Sequence, residues 1–225
     1  CQDLLTEVMA MFPSRYIHIG GDEAVKTQWK ASPEIQQMIR DKGLRDESEL
    51  QAWFTRQIDA FLTAHGRRLV GWDEILEGGL APGAVVMSWR GEKGGIVAAQ
   101  AGHDVIMAPT SHTYFDYYQG PRESEPLAIG GNLPLETVYQ YEPIPAALTP
   151  DQAKHVLGAQ AQLWSEYIAD AKQLQYMAYP RACALCEVLW SPAKDRNLDA
   201  FRNRLKRHLP RLGAASVKYR PLGGP

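Results

Sequence analysis

Tyr16-Ile17-His18-Ile19-Gly20-Gly21-Asp22-Glu23 is the stretch whose reading decides the fold. A β-type run, Tyr16 to Ile19, meets two glycines and stops at two adjacent carboxylates, which predicts a short strand ending in an acid-bearing turn. Strand alternation alone would send Asp22 and Glu23 to opposite faces. Glycine has no Cβ, so the backbone can bend at Gly20 and Gly21 and let both acids reach one cavity. Neighbouring carboxylates resist ionising together, and acid catalysis by such a pair depends on that. His18 lies two residues before Gly20, on one face of the strand. It is either a satisfied core histidine or a group that supports the acid pair from behind.

Outward from this stretch the chain alternates β-type runs with helical ones. Arg68–Trp72, Ala84–Trp89, Asp104–Ala108 and Val156–Trp164 read as further strands. Pro33–Lys42, Glu49–His65, Gly95–Ala101, Asp170–Trp190 and Leu198–Leu212 read as helices, the second with Leu50, Phe54, Ile58, Phe61 and Leu62 at helical spacing. Strands alternating with helices imply an α/β fold of parallel β/α units. The whole of 1–225 reads as a single domain. The proline-punctuated region 121–150, with Pro121, Pro126, Pro134, Pro143, Pro145 and Pro150, reads as a long ordered loop within it, of the kind that walls a site.

In parallel β/α folds, chemistry collects at the C-terminal strand ends. Here the five ends carry one theme: Asp22-Glu23, then Trp72-Asp73-Glu74, then Ser88-Trp89-Arg90, then the run into Tyr114-Phe115-Asp116-Tyr117-Tyr118, then Trp164-Ser165-Glu166. Indole faces stack on sugar C–H faces, and carboxylates accept from hydroxyls, so such a rim suits a carbohydrate. Any one of these groups has a plainer reading: a core tryptophan, or a carboxylate capping the next helix, for which Asp73-Glu74 is a good candidate. The repetition over five ends favours a site.

Composition narrows the alternatives. Of 225 residues, 45% are apolar and 22% charged, with a formal net charge of −2, as in an ordinary globular protein. No basic excess marks a nucleic-acid partner; the run Arg202–Arg211 reads as the charged face of a last helix. No apolar stretch reaches the ~18 residues of a membrane span. Cys183 and Cys186 make a lone C-x-x-C without a second ligand pair, which reads as helix core filler. No metal-ligand spacing accompanies the acids, so neither metal nor cofactor is expected. Gly-Gly-Asp-Glu also occurs in cyclic-dinucleotide synthases, but there an aromatic follows and the motif sits on a hairpin, whereas Ala24 follows here.

Taken in order, His18-Ile19-Gly20-Gly21-Asp22-Glu23, Gly71-Trp72-Asp73-Glu74, Ser88-Trp89-Arg90-Gly91, Tyr114-Phe115-Asp116-Tyr117-Tyr118-Gln119 and Gln162-Leu163-Trp164-Ser165-Glu166 resemble the family 20 glycoside hydrolases, the β-N-acetylhexosaminidases, bacterial members above all. The resemblance implies a (β/α)8 TIM-type barrel and exo-acting, retaining removal of terminal β-linked N-acetylglucosamine or N-acetylgalactosamine through an oxazolinium intermediate. It implies Glu23 as general acid and Asp22 as the group that steers the 2-acetamido nucleophile. Trp72, Trp89 and Trp164 would wall the sugar, Tyr114 would donate to the acetamide oxygen, and Asp116 and Glu166 would hold hydroxyls. The partner is a β-linked amino-sugar glycan or glycoconjugate. The alternative is a non-catalytic amino-sugar-binding protein, or an inactive fragment of such an enzyme.

In such a barrel the acid pair ends the fourth strand. This chain then supplies about strands 4 to 8, with two open sheet edges. It begins at Cys1 inside a helical pattern, so the first strands and any export signal are expected upstream; the resemblance favours a periplasmic or secreted protein. No sequence feature sets the oligomeric state.

Overall fold

The computed structural model describes residues 1–223. The elements alternate as the sequence pattern requires: α1 (Gln2–Met11), β1 (Tyr16–His18), α2 (Thr27–Ala31), α3 (Pro33–Asp41), α4 (Glu47–Ala64), β2 (Arg68–Trp72), β3 (Val85–Ser88), α5 (Lys93–Gln100), β4 (Val105–Met107), α6 (Thr110–Thr113), α7 (Leu135–Tyr139), α8 (Pro150–Ala153), β5 (Val156–Ala159), α9 (Ala171–Ala178), α10 (Arg181–Trp190) and α11 (Leu198–Ala214). The strands form one five-stranded sheet in the order β1-β2-β3-β4-β5. β1 and β2 pair in parallel with Ile17 opposite Leu69, and β2 and β3 with Gly71 opposite Val86. Parallel strands in sequential order with intervening helices are the arrangement of a TIM-type barrel, of which this α/β chain supplies five consecutive strands.

Helix starts follow side-chain chemistry. Ser32 accepts from the Ile35 amide with Pro33 in the first turn, Asp46 accepts from Glu49, Asp170 from Gln173 and Asn197 from Ala200, each satisfying an amide that the helix leaves without a partner. One predicted helix is in fact two. Asp170–Trp190 breaks into α9 and α10 at Tyr179-Pro180, because proline offers no amide to the helix and its ring clashes with the turn before. The predicted fifth strand is also shorter: regular pairing stops at Ala159, and Gln162 meets Tyr114 in an isolated bridge. The 121–150 region is not wholly irregular, holding a 3-10 turn at Arg122–Ser124 and the helix α7.

The chain packs as two compact units. The first comprises Cys1–Ile106 and Ala146–Leu157, the second Met107–Pro145 and the residues from Gly158 onward. In the first, β2 and β3 are buried on both faces, as inner parallel strands are. β1, at the edge of the sheet, buries Ile17 and exposes Tyr16 and His18, and Leu4 and Phe54, both exposed, line a groove with Ile17 and His18. In the second unit Tyr118, Ala128, Tyr176 and Met177 make a core cluster against Leu163 and Ile168. Cys183 is half-buried, its thiol pushed up to about 11 by burial and by the neighbouring Cys186. Cys186 is exposed, so only one of the two cysteines approaches core filler. No helix among the described residues is long and apolar enough to cross a membrane.

Candidate active site

In the first unit the acid pair lies just beyond β1. Gly20 (φ 76°), Gly21 (φ 96°) and Glu23 (φ 49°) all have left-handed backbone. For a glutamate that conformation is uncommon, and such strain concentrates at functional positions. Gly21 is required on a second ground: a Cβ there would lie 2.8 Å from Ile75 Cγ2. Gly71 is required likewise, since its Cβ would stand 2.7 Å from the same methyl and 3.1 Å from the Gly20 carbonyl oxygen. The turn is held by the Trp72 amide donating to Gly20 O and by Gln51 Nε2 donating to Gly21 O, both at 2.9 Å. Asp22 and Glu23 are both exposed at its tip.

His18 sits beside the turn. Its Nδ1 accepts from the Gly20 amide at 3.0 Å, and its ring meets Trp72 edge-on at 4.9 Å between centroids. An accepting Nδ1 carries no proton, so the neutral ring bears it on Nε2. Desolvation keeps the imidazole below its ordinary pKa, against the opposing pull of Asp22. His18 is thus bonded to the backbone of the acid turn and lies on the exposed side of β1.

Trp72 is buried and Trp89 half-buried, with ring centroids 6.5 Å apart in an edge-to-face arrangement. The acids between them do not cap a helix. Asp73 and Glu74 lie in a short 3-10 turn with no side-chain cap. Asp73 Oδ2 accepts from the Trp89 amide at 2.9 Å and the Arg90 amide at 3.1 Å, and Oδ1 from Arg90 Nε at 2.5 Å. Glu74 accepts from the Trp89 indole N–H, at 2.9 Å to its nearer oxygen. The two carboxylates therefore fix the Trp89 backbone and ring together. Sequence reasoning missed this. The signal was present as two acids following a strand-end tryptophan, but capping was the more general rule.

In the second unit the Phe115 amide donates to Gln162 O at 2.8 Å, which fixes Tyr114 and Asp116 relative to the segment after β5. Tyr114 is buried, and its ring tilts against Tyr117 with centroids 5.6 Å apart. Asp116 is 3% exposed, and its Oδ1 has no hydrogen-bond partner among the described residues. Burial pushes its carboxyl up to about 6; Glu166 adds to the rise and Arg181 opposes it. Trp164 is 43% exposed, and Glu166, two residues on, is exposed as well. Arg181 was also missed: a fully buried guanidinium in an apolar helix. Among the described residues no group of three or more His, Cys, Asp or Glu side chains could hold a metal ion.

Chemically, the first unit offers an exposed carboxylate pair on a turn bonded to the Trp72 backbone, and two indoles in edge-to-face contact, and the second a buried carboxylate, a phenol and an open indole. Comparison with known proteins agrees with that content. The model of glycosyl hydrolase family 20, catalytic domain, matches residues 1–193. A beta-hexosaminidase of Porphyromonas gingivalis is 51% identical over 218 residues, which is 96% of this chain and 28% of the relative. A beta-hexosaminidase of Vibrio furnissii is 38% identical over 81% of this chain and 30% of its own length. The chain thus spans less than a third of either relative. Among solved structures, the GH20 exo beta-N-acetylglucosaminidase from Vibrio harveyi, in complex with N-acetylglucosamine, matches with a TM-score of 0.88 at 34% identity, over 98% of this chain and 35% of that one. On the family match, the identities and the shared fold, the chain belongs to the catalytic domains of glycosyl hydrolase family 20.

Proposed function

We propose that the protein carrying this chain is an exo-acting β-N-acetylhexosaminidase, removing terminal β-linked N-acetylglucosamine or N-acetylgalactosamine from a glycan or glycoconjugate with retention. The observation that carries the reading is the acid turn. Two glycines and a left-handed Glu23 place two consecutive carboxylates, both exposed, on one strand-end turn.

Glu23 protonates the leaving oxygen and then takes the proton of the incoming water. Asp22 orients the substrate's 2-acetamido group and stabilises the positive charge that gathers on its nitrogen. The acetamide oxygen closes on the anomeric carbon to give an oxazolinium ion, which water opens. An intramolecular carbonyl has a high effective concentration, so no enzyme nucleophile is needed, and a fixed carboxylate beside the forming cation lowers the barrier electrostatically. Trp72, Trp89 and Trp164 wall the sugar, Tyr114 donates to the acetamide oxygen, and Asp116 and Glu166 accept from hydroxyls. The unpartnered Oδ1 of Asp116 supports the last assignment, because a buried carboxylate oxygen without a donor is costly until a ligand supplies one.

The test compares an aryl N-acetyl-β-glucosaminide with the analogue lacking the acetyl group, using the full-length protein. Rapid cleavage of the first and negligible cleavage of the second is expected. Equal rates on both refute substrate assistance; cleavage of neither refutes the activity.

A further inference from the structure

Arg181 opens α10 and has no exposed surface. Its guanidinium faces no carboxylate at hydrogen-bond distance among the described residues and donates instead to four carbonyls. Nη2 reaches Phe115 O at 2.5 Å and Met177 O at 2.7 Å; Nη1 reaches Tyr117 O at 3.0 Å and Leu133 O at 3.1 Å. Its plane lies over the Phe115 ring, 4.9 Å from the centroid. Two of the four carbonyls belong to the residues immediately before and after Asp116.

We propose that Arg181 is a positioning residue for Asp116: by gripping the carbonyls on either side, it sets the direction in which that carboxylate meets a substrate hydroxyl. The proposal rests on the reading of Asp116 as a hydroxyl acceptor. Burying a guanidinium is expensive, and a core that needed only packing would use a hydrocarbon there. Arginine is the side chain whose rigid fork can hold several carbonyls at once. The remaining bonds, to Leu133 and to Met177 at the end of α9, tie this anchor to two further segments, so the Asp116 turn cannot shift alone.

The charge has a second consequence. Asp116 is faced by Glu166 from the segment after β5, by its neighbour Tyr117 and by Arg181 from α10; burial and Glu166 raise its carboxyl pKa and Arg181 lowers it. Arg181 is in turn faced by Glu125, Tyr176 and Arg220. The guanidinium is therefore the one cation acting on Asp116 named among these groups, and it favours the ionised form that accepts a hydroxyl.

The experiment uses the full-length protein with Arg181→Met and Arg181→Lys. It follows kcat and KM against pH on an aryl N-acetyl-β-glucosaminide, and the titration of the Asp116 carboxyl carbon by NMR. Arg181→Met should move the Asp116 midpoint above about 6, carry the acid limb of kcat/KM upward with it, and raise KM more than it lowers kcat. Arg181→Lys keeps the charge and loses the fork; its midpoint should stay near that of the parent while kcat/KM falls about tenfold or more at every pH. An unmoved midpoint in Arg181→Met, or the same pH-independent loss in both variants, overturns the proposal and leaves a purely structural arginine. If Arg181→Met does not fold, an unchanged KM in Arg181→Lys overturns it. If the parent cleaves no aryl substrate, the proposed function falls, while the carboxyl titration still tests the coupling of Arg181 to Asp116.

Discussion

Asp73→Ala tests how the first unit holds its tryptophan. The carboxylate is buried, and two backbone amides, Trp89 and Arg90, converge on its Oδ2 at 2.9 and 3.1 Å. A hydrogen bond to a charged acceptor contributes about 1.5–3 kcal/mol. Two bonds sharing one oxygen are not additive, so about 3–4 kcal/mol of local stability is at stake. The Arg90 ion pair adds at most about 1 kcal/mol, since that side chain is 44% exposed. At about 1.4 kcal/mol per tenfold, the Trp89 and Arg90 amides should exchange with solvent about 100-fold to 1000-fold faster in Asp73→Ala. The Trp72 amide, bonded to Gly20 O, should keep its protection. With Trp89 loosened, its proposed role as a wall of the sugar should make KM for an N-acetyl substrate rise by about tenfold to 100-fold, as for a displaced positioning group. Asp73→Asn keeps an acceptor for the two amides and should lie between parent and Asp73→Ala. Native exchange rates at Trp89 and Arg90 together with an unchanged KM would refute the reasoning.

Other expectations follow from the same geometry. Glu23→Gln should lower kcat about 100-fold to 10,000-fold on glycosides with poor leaving groups, with unfolding free energy within about 0.5 kcal/mol of the parent, since the side chain is exposed; steady-state kinetics and denaturant melts read both. Gly21→Ala should cost about 2–4 kcal/mol from left-handed strain and the 2.8 Å approach to Ile75, and Gly21→Ala with Ile75→Ala should show a favourable coupling in a double-mutant cycle. Asp116 sits at about 6 in the fold against ~3.9 in an unfolded chain. Its folded pKa is raised, so its contribution is complete below the unfolded value and is lost as pH rises through the folded one, about 3 kcal/mol in all. Asp116→Asn should therefore flatten the decline in stability between about pH 4 and about pH 6.

What could be read in advance was whatever leaves a periodic or compositional trace. Each strand run from Tyr16 to Val156 was legible because apolar β-type residues stop at glycine or at a polar end. The α9–α10 break was equally legible in Pro180, but the apolar periodicity of Tyr176–Trp190 outweighed it. The true span of β5 was not, because Gln160–Trp164 differs from a strand only in what it pairs with. For the candidate site, the acids and aromatics proposed to meet a substrate stood out at the strand ends, whether exposed like Glu23 and Trp164 or buried like Trp72 and Asp116. The ones that hold them did not. Asp73 and Glu74 looked like caps because a capping rule needs only local sequence, whereas their targets lie at Trp89 and Arg90. Arg181 looked like one polar residue in an apolar helix, since its acceptors are carbonyls, which every residue has.

Both units solve one problem with opposite charges. Where the chain turns near Trp89, the groups left without partners are amides, and a buried carboxylate collects them. Where it turns near Asp116, they are carbonyls, and a buried guanidinium collects them. A turn inside a protein must satisfy its backbone polar groups locally or lose the desolvation energy of each, and a charged side chain can satisfy two or more at once. That division of labour leaves the Trp89 and Asp116 turns fixed by side chains that lie far from them in sequence. It also sets an order among variants. Substitutions at Asp73 or Arg181 should cost both stability and KM, whereas a substitution at Glu23 should cost kcat alone. A Glu23 variant that unfolds the protein, or an Asp73 variant that lowers only kcat, would break the order.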